Sequence, residues 1–365
     1  MSIKFKNKIK LFFIKLAAQR IQKNKFKIEK LDKVLIRIND PIGDAILTTP
    51  VYRELHNVNK NLQIDLILSK RNYQLFKNNP YINKIFILDK GKILLNELLY
   101  MRQRKYDLVI DLYGKISFLF FLQLHFINAK YYIANATSVA DMKKYKVSTK
   151  DFNFFDHVFG KNLDMHHADR YLDFFNLLNY NIVNKYYEIN IDKNSLEKFD
   201  KFFQEKKYIV GINYKGSNKG NSLTIETITE LGKLLSKHFQ NVTFILLSEP
   251  KYMNEARDIC KKINKSNFVL TPKTNSLDEF ISVIYFLDTI ITTGSSAMHI
   301  ASSFNKNIIA IYPNIQYYYT FEPRTKGRSI IINTESKTDT SKVNIESVLN
   351  ALKKIIQESK DIENN

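Results

Sequence analysis

The sequence is poor in several things, and each scarcity narrows what the protein can be. One cysteine in 365 residues excludes an intrachain disulfide framework. Cys260 stands among charged residues of an apparent helix, with no Cys or His partner at metal-ligand spacing, and reads as a packing residue in a reducing compartment. Neither a Walker loop nor G-x-G-x-x-G occurs, and no acidic D-x-D pair stands out in a loop after a strand, so no metal site and no cofactor is expected. RNA-recognition, helix-turn-helix and OB-fold signatures are missing as well. No internal sequence repeat is evident.

Acidic residues are also in short supply: 36 Asp and Glu face 56 Lys and Arg, a formal charge of +20. An excess of this size calls for a polyanionic partner, whether nucleic acid, an anionic membrane surface or a phosphorylated substrate. The excess is concentrated at the start, where residues 1–33 hold eleven Lys and Arg against only Glu29 and Asp32. The same segment carries Ile9, Leu11, Phe12, Phe13, Ile14, Leu16, Ala17 and Ile21, broken by Lys10 and Lys15. That run is too short to span a bilayer and has no small-residue cleavage site, so neither a transmembrane helix nor a signal peptide is expected. Two readings stay open for it. It is a basic amphipathic helix lying at a membrane interface, or a terminal helix packed on the body of a chain that is lysine-rich throughout.

The length and a 44 % apolar content suit two α/β domains. In the first half, 34–38, 63–68, 85–88 and 106–111 read as strands and 45–56 and 72–77 as helices. Strand and helix in regular succession imply a parallel sheet with right-handed crossovers. Residues 134–165 are less regular and carry the aromatic cluster Phe152, Phe154, Phe155, His157 and Phe159. His166-His167-Ala168-Asp169-Arg170-Tyr171 then opens a helix; its adjacent histidines do not fit the i, i+4 spacing of metal ligands, which leaves packing or ligand contact. The second half repeats the alternation, with strands at 208–212, 242–247, 268–270, 289–293 and 308–312 and helices at 195–206, 225–239, 253–263, 277–285 and 345–356. The expected organisation is a basic N-terminal segment 1–30, α/β domains 31–185 and 186–345, and a C-terminal helix with a polar tail, 346–365.

The stretch 33–52, KVLIRINDPIGDAILTTPVY, organises the first half. A short β-branched strand ends at Asn39-Asp40-Pro41, and a helical pattern begins within a few residues. Gly43 leaves room for a close approach, and Asp44 falls in the first helical turn beside unpaired backbone N–H groups. Asp44 is either an N-terminal acid favoured by the helix dipole, or a functional carboxylate at the carboxyl end of a first parallel strand, where open α/β sheets place ligands. In the second half, Asn213-Tyr214-Lys215-Gly216-Ser217-Asn218-Lys219-Gly220-Asn221 follows a strand and can cradle phosphate oxygens with amide and ammonium groups. A later strand runs into the hydroxyl-rich turn Thr293-Gly294-Ser295-Ser296 and a helix carrying Met298 and His299.

Taken together, these blocks resemble the heptosyltransferases of glycosyltransferase family 9. The resemblance rests on Ile42-Gly43-Asp44 with Thr49-Pro50, on Tyr106-Asp107-Leu108-Val109-Ile110-Asp111 with Gly114, on Asp169-Arg170-Tyr171, and on Ser295-Ser296-Ala297-Met298-His299-Ile300-Ala301 followed by Ala310-Ile311-Tyr312-Pro313. It covers residues 33–332 in order and spacing. The chain departs from the family at Gly294, where an acid is usual, and at Asn221-Ser222-Leu223-Thr224, where a Lys precedes Trp-Pro; there is no Trp at all. Lys215 or Lys219 stands near enough to replace the missing charge.

The resemblance implies a GT-B architecture, two Rossmann-like domains facing a cleft, with the acceptor on the first and the nucleotide sugar on the second. It implies inverting, metal-independent transfer of a heptose from ADP-heptose to the inner core of lipopolysaccharide or lipooligosaccharide. Asp44 would be the base that takes the acceptor hydroxyl's proton. Gly43, Thr48, Asp111, Gly114 and Arg170 would meet the acceptor. Lys215, Ser217, Lys219, Glu249, Gly294, Ser295, Ser296, Met298 and His299 would meet the donor, the departing diphosphate being held by hydroxyls, helix N–H groups, a lysine and His299. His299 is alternatively a core histidine under the sheet. An anionic glycolipid acceptor accounts for the positive charge and places the protein in the cytoplasm, peripheral on the inner face of the inner membrane. Two other readings remain: a family member using another nucleotide sugar or partly degenerate, and a basic nucleic-acid-binding protein. Nucleic acid is not expected, because the charge is densest in an amphipathic terminus.

Overall fold

The computed structural model describes residues 13, 16–17, 20, 28, 30–38, 41–88, 93–113, 117–138, 154–216 and 218–363. The chain divides into two compact units, Met1–Lys185 and Tyr186–Asn365. In the first, strands β1 (Lys33–Ile38), β2 (Gln63–Ser69), β3 (Ile82–Leu88), β4 (Leu108–Tyr113), β5 (Tyr131–Asn135) and β6 (His157–Phe159) form one sheet in the order β3-β2-β1-β4-β5-β6. Every adjacent pair is parallel. Helices α1 (Ile42–Leu47), α2 (Thr49–Val58), α3 (Tyr73–Phe76), α4 (Leu95–Arg104), α5 (Phe118–Ile127) and α6 (His167–Leu172) lie along the crossovers.

The second unit is wound the same way. Its strands β7 (Ile209–Asn213), β8 (Thr243–Leu247), β9 (Phe268–Leu270), β10 (Thr289–Thr293), β11 (Asn307–Tyr312) and β12 (Ser329–Asn333) run in the order β12-β11-β10-β7-β8-β9, again all parallel. Its helices are α7 (Lys193–Phe203), α8 (Ile225–His238), α9 (Met253–Ile263), α10 (Leu277–Tyr285), α11 (Ser296–Ser303) and α12 (Ile345–Glu363). In each sheet the first and fourth strands are neighbours and the winding reverses between them. That reversal opens a crevice outside the carboxyl ends of the strands, the place where sheets of this kind bind ligands. Both units are thus Rossmann-like.

Strands covered on both faces need near-continuous apolar sequence, and β1, β10 and β11 supply it. Where polar residues interrupt, they are paired. The helix expected over 45–56 is broken in two at Thr48, and Pro50 is the reason. Proline has no N–H to give to the carbonyl of Ile46; the Thr49 hydroxyl donates to that carbonyl instead, at 2.8 Å, and the Thr48 hydroxyl donates to Ala45 O at 2.7 Å. Strands β5, β6 and β12, which the apolar pattern does not announce, complete the outer parts of the sheets. The irregular aromatic segment has a packing explanation, since Phe154 and Phe155 are buried in one core with Phe121 and Leu124 of α5. Helix α12 packs Val348, Leu349, Leu352 and Ile355 into the core of the second unit.

Most of segment 1–30 lies outside the described residues. What is described of it is attached to the first unit. Ala17 is buried in the α5 core, its carbonyl 2.9 Å from His125 Nε2. Arg20 meets both carboxylate oxygens of Asp156, at 2.8 and 3.1 Å. Among the described residues no helix is long and apolar enough to cross a membrane.

Candidate active site

In the first unit, β1 leads through Pro41 into α1, and Asp44 occupies the first turn of that helix. The side chain is partly buried, and the resulting loss of solvation raises its pKa from 3.8 to about 6. Among the described residues it has no hydrogen-bond or ion-pair partner. A partly buried acid that no cation neutralises stays ready to take or give a proton near neutral pH. Gly43 is buried beside it.

The other residues expected to meet the acceptor are placed differently. Thr48 is fully buried, its hydroxyl turned onto Ala45 O and Tyr52, so it serves the helix break rather than a ligand. Asp111, at the end of β4, is also buried. Its two oxygens accept from Nε and Nη2 of Arg37 on β1, each at 2.9 Å, and the guanidinium lies 3.6 Å from the centre of the Phe120 ring. Arg37 and Asp111 are register partners, and the ladder shifts immediately after them. The pair therefore bolts β1 to β4 where the winding reverses, and the Asp111 charge is already neutralised by Arg37.

Arg170 is likewise buried. Its Nε donates to Gly160 O at 3.2 Å and its Nη1 stands 3.5 Å from His167 Nε2. Gly160 has φ +65°, and a Cβ there would sit 2.7 Å from Arg170 O and 2.5 Å from Asn135 Nδ2, so only glycine fits. The Asp169-Arg170-Tyr171 block thus closes the end of β6 against α6. His167 is held neutral, its pKa lowered to about 3 by burial and by the adjacent Arg170. His166 caps α6, with Nδ1 accepting from Ala168 N at 3.1 Å. Among the described residues no group of three or more His, Cys, Asp and Glu side chains is arranged to hold a metal ion. Gly114 lies outside the described residues.

In the second unit the reversal is at β7 and β10, and they are joined by Asn213, expected only as the first residue of the glycine-rich loop. Asn213 Nδ2 lies 2.9 Å from Ser295 Oγ, 3.1 Å from Thr292 Oγ1 and 2.9 Å from Lys215 O. This pulls the Ser295 hydroxyl sideways, so that although Ser295 holds the N-cap position of α11 it makes no capping hydrogen bond. The first-turn N–H groups of α11 are left without a side-chain cap, which makes that end of the helix receptive to an anion. Gly294, Ser295 and Ser296 are partly exposed there.

Met298 and His299 are on the inward face of α11. Met298 is buried with Sδ 2.9 Å from the Tyr312 hydroxyl, a core contact and not a donor contact. His299 is 5 % exposed and its ring meets that of Tyr187 edge-on at 6.0 Å, so its surroundings are those of a packed histidine.

The glycine-rich loop closes on itself instead of standing open as a cradle. A Cβ on Gly216 would lie 2.0 Å from Asn221 O, and one on Gly220 would lie 2.3 Å from Thr338 O. The Gly216 amide donates to Ser222 Oγ at 3.0 Å, and the Asn221 amide to Asn218 Oδ1 at 3.0 Å. What the loop offers is cations. Lys215 is 2.7 Å from Glu255 Oε1, with its ammonium 4.8 and 4.9 Å from the rings of Tyr214 and Tyr252. Burial works against the Glu255 carboxylate, but hydrogen bonds from Lys215 and Tyr214 outweigh it and hold its pKa low. Lys219 is exposed and has no ion-pair partner among the described residues. Glu249, at the end of β8, is exposed and paired with Lys251 at 2.9 Å. Ser217 lies outside the described residues.

The sequence model of glycosyltransferase family 9 (heptosyltransferase) matches residues 99–349 of the chain. The chain is similar to lipopolysaccharide heptosyltransferase 1 of Campylobacter coli, 23 % identical over 302 residues that cover 76 % of this chain and 82 % of that protein. Its fold is similar to that of a glycosyltransferase of family 9 from Veillonella parvula, with a TM-score of 0.74 at 15 % identity, covering 92 % of this chain and 99 % of the other. It is also similar to the E. coli ADP-heptose LPS heptosyltransferase II, with a TM-score of 0.69 at 15 % identity over 90 % and 99 % of the two chains.

Proposed function

The chain belongs to glycosyltransferase family 9, and on that premise we propose that it transfers a heptose from ADP-heptose to the inner core of lipopolysaccharide or lipooligosaccharide. The transfer inverts the anomeric centre and needs no metal ion. The observation that carries this reading is Asp44: a partly buried, unneutralised carboxyl with a pKa of about 6, in the first turn after β1. In the reaction its carboxylate takes the proton of the acceptor hydroxyl as that oxygen bonds to the anomeric carbon. The bond from that carbon to the diphosphate breaks at the same time, and ADP departs with the electron pair.

The growing negative charge on ADP is met in the second unit. The uncapped N–H groups of α11 and the Ser296 hydroxyl face it, with Lys215 and Lys219 adding positive charge from the β7 loop. These groups supply the compensation that a divalent cation provides in other transferases. The acceptor is an anionic glycolipid, which suits a strongly basic chain.

A second reading follows from Gly294, where relatives of this family usually carry an acid: the chain accepts a different nucleotide sugar. Calorimetric titration with ADP, UDP and GDP tests both. The proposal expects ADP to bind tightest, and preference for UDP or GDP overturns the ADP-heptose assignment while leaving glycosyl transfer in place.

A further inference from the structure

We infer that the outer face of α4 and α5 is a docking surface for an anionic lipid bilayer. A helix that is apolar on all sides belongs in a core, yet α5, FLFFLQLHFI, is a covering helix of the first unit. Its inner side packs Phe120, Phe121 and Leu124 onto the sheet, while Leu119 and Leu122 are exposed. On α4, Met101 is buried, and Leu95 and Leu99 one turn apart face out, Leu95 at 68 %. The two faces adjoin. Arg102, one turn beyond Leu99, donates to Phe126 O of α5 at 2.8 Å and lies 5.3 Å from the Phe126 ring. A third row flanks α5 from the other side, where Phe13 meets Phe118 edge-on at 5.6 Å and both Phe13 and Leu16 are exposed.

Charge selects the occupant. The exposed cations at the carboxyl ends of these helices are Arg102, Lys105 and Lys130. On these two helices the one acid among the described residues is Glu97 of α4, against Arg102, Arg104 and, at the helix ends, Lys105 and Lys130; of the acids nearby, Asp111 is paired with Arg37 and Asp107 accepts from the backbone amides of Asp32 and Lys33. Two copies meeting through this face would set like charges together in a protein already at +20, whereas an anionic bilayer offers them opposite charge and receives the leucines among its acyl chains. Both helices also begin at the carboxyl edge of the sheet, the edge that carries Asp44, since each follows the end of a strand. Docked this way, the helices lie along the bilayer, with the Asp44 edge at their amino ends and the cations at the opposite edge. Any benefit of this placement to the reaction rests on the function proposed above, but the docking surface itself does not.

The test is co-sedimentation of the full chain with vesicles of phosphatidylcholine plus phosphatidylglycerol, and with phosphatidylcholine alone. Wild-type protein binds the anionic vesicles, and part of that binding survives high salt because leucine insertion is not screened. Leu119→Gln with Leu122→Gln lowers the partition coefficient about tenfold or more and removes the salt-resistant part, with ADP affinity unchanged. Arg102→Glu with Lys105→Glu weakens binding at low salt only. Leu163→Gln, an exposed leucine on another segment, has no effect. Equal partition of wild type and the double leucine variant overturns the proposal, as does a concentration-dependent dimer that the same variant abolishes, which would assign the face to a second copy. Vesicle binding is read without the transfer reaction, so its failure leaves the glycosyltransferase reading untouched.

Discussion

The two halves of the chain share one winding and oppose each other in chemistry. Each brings its first and fourth strands together and opens a crevice at their carboxyl ends. In the first half those strands are joined by a buried ion pair, Arg37 with Asp111, which neutralises itself and leaves Asp44 as an acid with no counter-charge. In the second they are joined by a neutral amide, Asn213, hydrogen-bonded to two hydroxyls. An acidic link there would repel an anion, whereas the amide adds no charge beside the uncapped end of α11. The topology therefore fixes where a ligand goes, and the residue that crosses the reversal decides which charge is welcome.

The comparison can be broken from either side. The largest effect is expected at Asp44, where replacement by Asn should slow transfer by roughly 10²–10⁴-fold at saturating donor; near-normal turnover would remove the base from the first half. Next come the two links. Arg37→Met leaves the Asp111 carboxylate buried alone and should cost about 3–5 kcal/mol in chemical unfolding, whereas Asn213→Ala breaks neutral hydrogen bonds and should cost about 1–3 kcal/mol. Equal losses would mean that the two links do not differ in kind. Ser296→Ala should weaken ADP binding by about 1.5–3 kcal/mol if the hydroxyl meets the diphosphate, with little change in turnover at saturating donor.

A further effect, confined to one pH window, sharpens the electrostatics of the first half. The folded Asp44 carboxyl keeps its proton to about pH 6, the ordinary carboxyl only to 3.8, so folding binds a proton in that window and stability falls as pH rises through it. Asp44→Asn should therefore be more stable than wild type at pH 7, by up to about 2–3 kcal/mol, and no more stable below about pH 4. The melting temperatures of the two proteins across pH will show it.

Much of this was legible in the sequence because it depends on local pattern. Near-continuous apolar runs mark the buried strands, and Asp44 and the 293–296 turn stand where strands give way to helices. What was hidden depends on partners far along the chain. Asp111 reads as a strand-end acid, and only the β1–β4 register reveals that Arg37 consumes it. The family resemblance puts Met298 and His299 at the donor, with His299 alternatively a core histidine; what the sequence hides is that they contact Tyr312 and Tyr187. Asn213 was read only as the start of a glycine-rich loop, and its meaning comes from Ser295, which lies opposite it across the sheet. Edge strands such as β6, three residues long, carry too little sequence to announce themselves.

In the function proposed above, proton transfer belongs to the first unit and anion holding to the second. The most direct measurement is the affinity of Asp44→Asn for ADP, by calorimetry at pH 7.5. If the base acts on the acceptor alone, ADP binding stays within about twofold of wild type, a difference of under 0.5 kcal/mol, even though transfer is lost. A fall of about tenfold or more in ADP affinity would place Asp44 in the donor site and contradict the division.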